Sequence, residues 1–318
     1  MSKSILSAAH FNDEAAAYAY VEAHVWPNGR VCPHCGTVDR SGELKGKTNR
    51  IGLYKCYACR KPFTVKVGTI FEASHIAMRD WLVAIHLVCS AKKGISANQL
   101  HRTLGITLKS AWFMSHRIRE AMKGGSLGPL GGEGKTVEAD ETFIGGKEKN
   151  RHKSQRATKR LGGSWGKETV FSLVERNGQV RSMHVASVTA ATLRPILIAQ
   201  VDSKSMLVTD DAGQYRHMGR DFRHEVVNHG VEEYVRGEAH TNTVEGYFSI
   251  LKRGITGTFH HVSQQHLHRY LAEFDFRHNN RVALGVNDTE RASNALKGVV
   301  GKRLTYRTTN REEAQAAG

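Results

Sequence analysis

Apolar residues recur every three or four positions over long stretches of this chain, and alternate with polar ones over others. Phe11, Ala15, Tyr18 and Val21 follow a helical period near the N-terminus, with Asn12 or Asp13 as the cap. The same period predicts helices over Met78–Val88, Ala97–Leu104 and Leu108–Met122. Phe63–Val67 is a short β-rich piece. Beyond a glycine-rich stretch the period changes to two. Strands are predicted over Thr136–Ile144, Thr169–Glu175, Val180–Ser187, Met206–Thr209 and Phe222–Val227. Arg176-Asn177-Gly178-Gln179 carries the Asn-Gly signal of a hairpin turn. Helices are predicted over Thr192–Gln200, Asn242–Arg253 and Ser263–His278, and a frayed polar tail from Thr308. The fold class is mixed α/β.

Two cysteine pairs change the picture for the segment before residue 74. Cys32-Pro33-His34-Cys35 and Cys56-Tyr57-Ala58-Cys59 are CxxC knuckles separated by 20 residues. Zinc takes four soft ligands in a tetrahedron, and two facing knuckles supply them. A secretory signal would favour disulfides instead, but the N-terminus carries Asp13, Glu14 and Glu22 and no apolar core followed by a cleavage site. A structural zinc ribbon is therefore expected, with Cys89 an inert buried thiol.

The order that follows is an N-terminal helix (1–24), a zinc ribbon (25–73), a helical segment (74–123), a linker (124–134), an α/β domain (135–284) and a C-terminal extension (285–318). The linker assignment rests on six glycines and a proline between Gly124 and Gly134.

Charge narrows the partners. With 46 Lys and Arg against 30 Asp and Glu, the formal charge is +16, which favours polyanions. No apolar run reaches the ~18 residues of a membrane-spanning helix, so a cytoplasmic protein is expected. Ser96 to Trp112 has the form of a helix-turn-helix, with Gly105 at the turn and Ser96 and Thr107 as N-caps. Lys109, Ser110 and Trp112 are then placed toward base edges, and Arg117 and Arg119 toward phosphates. Between Gly145 and Glu168 lie Lys147, Lys149, Arg151, Lys153, Arg156, Lys159, Arg160 and Lys167. This is a solvated loop whose cations suit phosphate contacts. Trp165 in it is a candidate for stacking on an unpaired base.

Three acidic positions stand out by context. Asp140 lies inside a predicted strand, sharing a face with Glu138 and Thr142. A carboxylate there is costly unless it holds a cation or a hydrogen-bond network. Asp210 ends the Met206–Thr209 strand, where open α/β sheets place ligands. Glu245 lies one turn into a helix. Each also has a plain alternative: an edge residue, a helix cap, and a capping box with Asn242, respectively.

Taken in order, these elements resemble the ribonuclease-H-like domain of DDE transposases and retroviral integrases. Asp140-Glu141-Thr142-Phe143-Ile144-Gly145-Gly146, Thr209-Asp210-Asp211-Ala212-Gly213-Gln214-Tyr215 and Asn242-Thr243-Val244-Glu245-Gly246-Tyr247-Phe248 through Gly254 are similar to the three catalytic blocks of a bacterial insertion-sequence transposase group with an N-terminal zinc ribbon. Tyr270 to Arg281 resembles the final helix of that group. The resemblance implies Asp140, Asp210 and Glu245 as ligands of two Mg²⁺ or Mn²⁺ ions, with the adjacent Asp211 as the alternative second ligand. It implies Lys252, two helical turns after Glu245, as a phosphate contact near the scissile bond. It also implies binding of terminal inverted repeats and target DNA, strand cleavage and strand transfer, a homodimer or larger assembly on DNA, and residence on the bacterial nucleoid. A DNA-binding regulator that has lost the chemistry is the alternative. An intact acidic triad argues against it, because binding alone has no need of one.

Overall fold

The computed structural model describes residues 4–46, 48–124, 128–146, 152–155, 165–228 and 240–305. The chain forms two compact units. One comprises Met1–Val88, Ala97–Met122 and Ala292–Gly318, the other Cys89–Ser96 and Lys123–Arg291.

In the first unit, a single turn α1 (Ala9–Asn12) precedes α2 (Glu14–Val25). The expected single helix is broken at Asp13, whose backbone is extended and whose side chain accepts the Ala16 N–H at 2.7 Å. The ribbon is a small antiparallel sheet in the order β1 (Ser41–Glu43), β2 (Tyr54–Cys56), β3 (Pro62–Phe63). The strand expected over Phe63–Val67 ends at Phe63. Thr64 to Thr69 folds into successive turns, with Val67 N–H on Thr64 O and Thr69 N–H on Lys66 O. Three helices follow, α3 (Met78–Ser90), α4 (Ala97–Leu104) and α5 (Leu108–Met122). Trp81, Ile85, Leu100, Met114 and Ile118 form much of their buried core. Glu14 caps α3 from a distance, its two carboxylate oxygens accepting the N–H groups of Met78 and Arg79 at 2.7 and 3.1 Å. Val300 bridges to Thr69.

The second unit is built on a five-stranded sheet. Its strands are β4 (Thr136–Ile144), β5 (Glu168–Glu175), β6 (Val180–Val185), β7 (Met206–Asp210) and β8 (Arg223–Val227), in the order β6-β5-β4-β7-β8. The β6-β5-β4 ladder is antiparallel, and β4-β7-β8 is parallel. This order and these directions are those of the ribonuclease-H-like fold. Helix α6 (Ala190–Gln200) covers one face, where Val137, Ala139, Phe171 and Leu173 pack with Leu193 and Leu197. Helices α7 (Asn242–Gly254) and α8 (Gln264–Asn279) cover the other, where Val170 and Val174 pack with Val244, Phe248, Leu267 and Leu271. Period-two alternation on β5 therefore buries both of its faces.

A buried polar network crosses the α7–α8 face. The half-buried Asp275 accepts from Tyr247 Oη at 2.6 Å and from the Ser182 N–H at 2.7 Å. Burial pushes its carboxyl up to about 6. The last helix, α9 (Asp288–Lys297), lies in the region expected to be an extension. The expected linker is shorter than its glycine content suggests. Leu130 is buried, donates its N–H to Gln200 O and accepts from the Asp202 N–H. The polar tail from Thr308 lies outside the described residues.

Candidate functional site

The four cysteines come together. Their sulfur atoms all lie within 4.8 Å of one another. The Cys32–Cys59 and Cys35–Cys56 separations are both 3.7 Å. That distance is far too long for a disulfide at ~2.05 Å. It matches the edge of a tetrahedron with Zn–S bonds of ~2.3 Å. Cys32 and Cys56 are buried against Tyr54 and Phe63. The Thr37 hydroxyl and backbone beside Cys35 hold its thiol down to about 6, toward the thiolate that a metal takes. The donor set and its spacing fit zinc.

The carboxylates lie on the second unit. Glu138 pairs with Val208 in the parallel β4–β7 register. Two residues further along each strand, past the end of that ladder, come Asp140 and Asp210, which alternation puts on the same face of the sheet. Asp210 is the last residue of β7, paired with Val227, whereas Asp211 lies beyond the strand and is exposed. Glu245 is on the exposed side of the first turns of α7 and accepts the Thr241 hydroxyl at 3.0 Å. The Asn242–Glu245 capping box is not formed, because Thr241 is the N-cap and Glu245 sits one position too far along.

The three acids share one electrostatic environment. Burial, and then the charges of Glu141, Asp210 and Glu245, push the Asp140 carboxyl up to about 7. Among the described residues only the four cysteines bring three or more ligand atoms within 4.8 Å of one another, so the carboxylate oxygens are spread more widely than that. Ligands of a single Mg²⁺ at ~2.1 Å lie within about 4.2 Å of each other, whereas two ions ~4 Å apart span a wider set. Hard oxygens, a raised carboxyl and mutual repulsion together fit divalent cations.

Glu141 points to the opposite face. It accepts from Gln214 Nε2 at 3.2 Å, which ties the segment after Asp210 back to β4. Its carboxyl is raised, chiefly by burial.

Glu138 is a residue beside the acids whose contacts sequence reasoning did not foresee. It is completely buried. One oxygen accepts the N–H groups of Thr243 and Val244 at 2.8 and 2.9 Å. The other accepts from Thr243 Oγ1 at 2.8 Å and Arg176 Nε at 2.7 Å. Arg176 in turn donates to His240 O at 2.8 Å. The first turn of α7 thus hangs on a carboxylate two residues before Asp140, and Glu245 is set against Asp140 by that link. The available signal was a second acid two positions before Asp140 on the same strand face.

The two helices expected on either side of Gly105 form, as α4 and α5. Gly105 has φ +66°, and the Ser110 N–H donates to Thr107 Oγ1 at 3.2 Å. Lys109 is exposed, and Ser110 and Trp112 are half-buried, with the Trp112 ring 4.2 Å from that of His116. Arg117 corrects the expectation of a phosphate contact. It is buried, and its guanidinium donates to the carbonyls of Ile70, Glu72 and Leu304 at 2.8, 2.8 and 3.1 Å. Arg119 is buried as well and donates to Ser115 Oγ. The apolar stripe of α5 is wide enough to carry both arginines inside. Of the basic loop, Lys153 is exposed in a short 3₁₀ turn, and Trp165 is also exposed. Lys147, Lys149, Arg151, Arg156, Lys159 and Arg160 lie outside the described residues.

A cysteine ribbon joined to a ribonuclease-H-like domain that carries acids on β4, β7 and α7 defines a class, the zinc-ribbon transposases. Comparison with known proteins agrees. Residues 129–279 match the ISXO2-like transposase domain, and residues 12–62 match a transposase zinc-ribbon domain. A protein of Halobacterium salinarum, described as an uncharacterized protein in transposable element ISH50, is 30% identical over 264 residues, covering 79% of this chain and 86% of that protein. The chain belongs to the ISXO2-like transposase family. Among solved structures, a pre-cleavage Mos1 transpososome aligns at 13% identity and a TM-score of 0.25, over 63% of this chain and 70% of that one. A Mos1 strand transfer complex aligns at 14% and 0.26, over 68% and 74%. Among the described residues, no helix is long and apolar enough to cross a membrane.

Proposed function

We propose that this transposase cuts and joins DNA by two-metal phosphoryl transfer, with Asp140, Asp210 and Glu245 as ligands of Mg²⁺ or Mn²⁺. The observation that carries this reading is the register. Asp140 and Asp210 each lie two residues past the Glu138–Val208 pair on one sheet face, the charges of Asp210 and Glu245 act on Asp140, and Glu138 accepts N–H groups at the start of the helix that carries Glu245, all of which supports this reading. Asp140, Asp210 and Glu245 would hold the divalent ions, which when bound would polarise the scissile phosphate and lower the proton affinity of the attacking oxygen. Asp140 and Asp210 contribute hard oxygens from rigid strands, and Glu245 contributes one from the start of α7. Lys252, exposed two turns further along α7, places an ammonium beside the phosphate. In the first step a water oxygen bonds to phosphorus, the bond to the 3′ oxygen breaks, and the element end is left with a 3′-OH. In the second, that 3′-OH attacks a target phosphate and displaces a target 3′ oxygen. No covalent bond to the protein is required.

The ribbon and the Lys109-Ser110-Trp112 face of α5 bind the terminal repeats, and Lys153 with the rest of the basic loop neutralises phosphates. Two element ends joined in one event require at least two copies of the chain on DNA. Residence on the nucleoid of the cytoplasm follows from that substrate. The test is a joining assay on duplexes carrying the element's ends, with Mg²⁺ or Mn²⁺. Wild type should release 3′-OH ends and form joined products, and Glu245→Gln should form neither. Equal joining by both proteins would overturn the assignment. So would metal-independent binding by both with no cleavage.

A further inference from the structure

The ladder between β4 and β7 stops at the Glu138–Val208 pair, two residues short of both acids. Asp140 and Asp210 therefore stand beyond the backbone pairing of the two strands that carry them. A parting of the strands at this level leaves room for cations between the carboxylates. It also means that contacts other than the ladder set the spacing of the two acids.

Glu141 supplies such contacts from the α6 face. Its backbone N–H donates to Asp140 Oδ1 at 2.6 Å. Its side chain accepts from Gln214 Nε2 at 3.2 Å. Gln214 belongs to the 3₁₀ turn Gly213–Tyr215, just after Asp210. The Tyr215 N–H closes that turn on Ala212 O at 3.0 Å, and the Ala212 N–H donates to Asp210 Oδ1 at 3.2 Å. Contacts thus run unbroken from Asp140 through Glu141, Gln214 and Ala212 to Asp210. The turn is anchored in the core. Tyr215 is 1% exposed, packs in one cluster with Val137, Ala139 and Phe171, and brings its hydroxyl beside the Glu141 carboxyl. A carboxyl on this apolar face costs free energy that an apolar side chain would not, so packing alone does not account for it.

We infer that Glu141 is a positioning residue, which holds Asp140 through its backbone and Asp210 through Gln214 and so sets the spacing at which the two acids take divalent cations. It acts through those acids and is not itself a ligand, since alternation turns its side chain to the other face of the sheet. Partners of this kind, one bond removed from a metal, orient the ligands that touch it. The inference rests on the phosphoryl-transfer reading, because that reading makes Asp140 and Asp210 the ligands.

The experiment measures Mn²⁺ binding by calorimetry, without DNA, on the zinc-loaded full chain. It compares wild type with Glu141→Ala, Glu141→Gln, Gln214→Ala and the double alanine variant. Glu141→Ala and Gln214→Ala should each bind Mn²⁺ ~10- to 100-fold more weakly. The double variant should lose no more than either single one, because all three remove the same contact. Glu141→Gln keeps an oxygen for Gln214 and should bind within about threefold of wild type. Cleavage at saturating DNA should slow in step with Mn²⁺ affinity, while repeat-DNA affinity without divalent ions stays within about twofold for every variant. Equal losses in Glu141→Ala and Glu141→Gln would show a role through charge and overturn the inference. So would a lowered Tm with Mn²⁺ affinity unchanged, or losses that add in the double variant. If Glu141→Ala does not fold, Gln214→Ala, at a half-buried position, carries the same test. If wild type binds no Mn²⁺ that Asp210→Asn loses, the phosphoryl-transfer reading has failed and this inference with it.

Discussion

Asp140→Asn should make the metal-free protein more stable while abolishing its activity. Burial and three neighbouring carboxylates raise the Asp140 carboxyl from 3.8 to about 7. A raised carboxyl binds more protons in the folded state than in the unfolded one across that interval. Stability therefore falls as pH rises from about 4 to 7, and the loss is complete above 7. Three pH units correspond to about 4 kcal/mol at 1.36 kcal/mol each. The site opens partly to solvent, and screening brings this nearer ~2 kcal/mol. At pH 8 without added magnesium, and with zinc retained, the variant should melt ~4–8 °C above wild type, at ~2–4 °C per kcal/mol for a unit of this size. At pH 5 the gain should shrink by more than half. Magnesium should raise the wild-type Tm and leave the variant unmoved, because the cation stabilises only a site that still carries its charge. The assay is thermal unfolding followed by near-ultraviolet circular dichroism at two pH values, with and without Mg²⁺. A variant that is no more stable than wild type at pH 8, or that gains as much at pH 5, would refute the reasoning.

Other perturbations separate positioning from structure. Glu138→Gln places an amide against donors that now share a carboxylate, so α7 should shift. Joining should drop ~100-fold, while repeat-DNA affinity measured by anisotropy changes less than about twofold. Arg117→Ala should cost ~2–4 kcal/mol in urea unfolding, because it strips three carbonyls of a buried donor, and it should leave the salt dependence of DNA binding unchanged. Lys109→Ala should instead lower the slope of log K against log salt by about one, with stability intact. The protein should hold one zinc per chain by atomic absorption, and Cys56→Ser should lose it together with ribbon structure.

Much of this architecture is legible in the sequence, because its elements follow single periods. β4 spans Thr136–Ile144, and α4 and α5 span Ala97–Leu104 and Leu108–Met122, as their patterns predict. The CxxC spacing fixes its own geometry. What escapes the sequence depends on contacts between distant elements. Arg117 reads as a surface cation until the carbonyls of Ile70, Glu72 and Leu304 surround it. Glu138 reads as one more acid in a strand until the N-terminus of α7 settles on it. The helix over Asp288–Lys297 has only Ala292, Ala295 and Leu296 as apolar residues, too few to stand out in a polar stretch. The π-turn at Ile255–Phe259 has no composition signal, since one extra residue per turn leaves no mark in a five-residue stretch.

The central claim is that register on the sheet selects the metal-binding acids, so that Asp210 ligates and its neighbour Asp211 does not. The direct measurement is strand transfer by Asp210→Asn and Asp211→Asn on the same repeat-end DNA, alongside Mn²⁺ binding by calorimetry. Asp210→Asn should lose at least ~1,000-fold in joining together with its Mn²⁺ affinity, and Asp211→Asn should stay within a few-fold of wild type on both. Loss at Asp211 with retention at Asp210 would contradict the account.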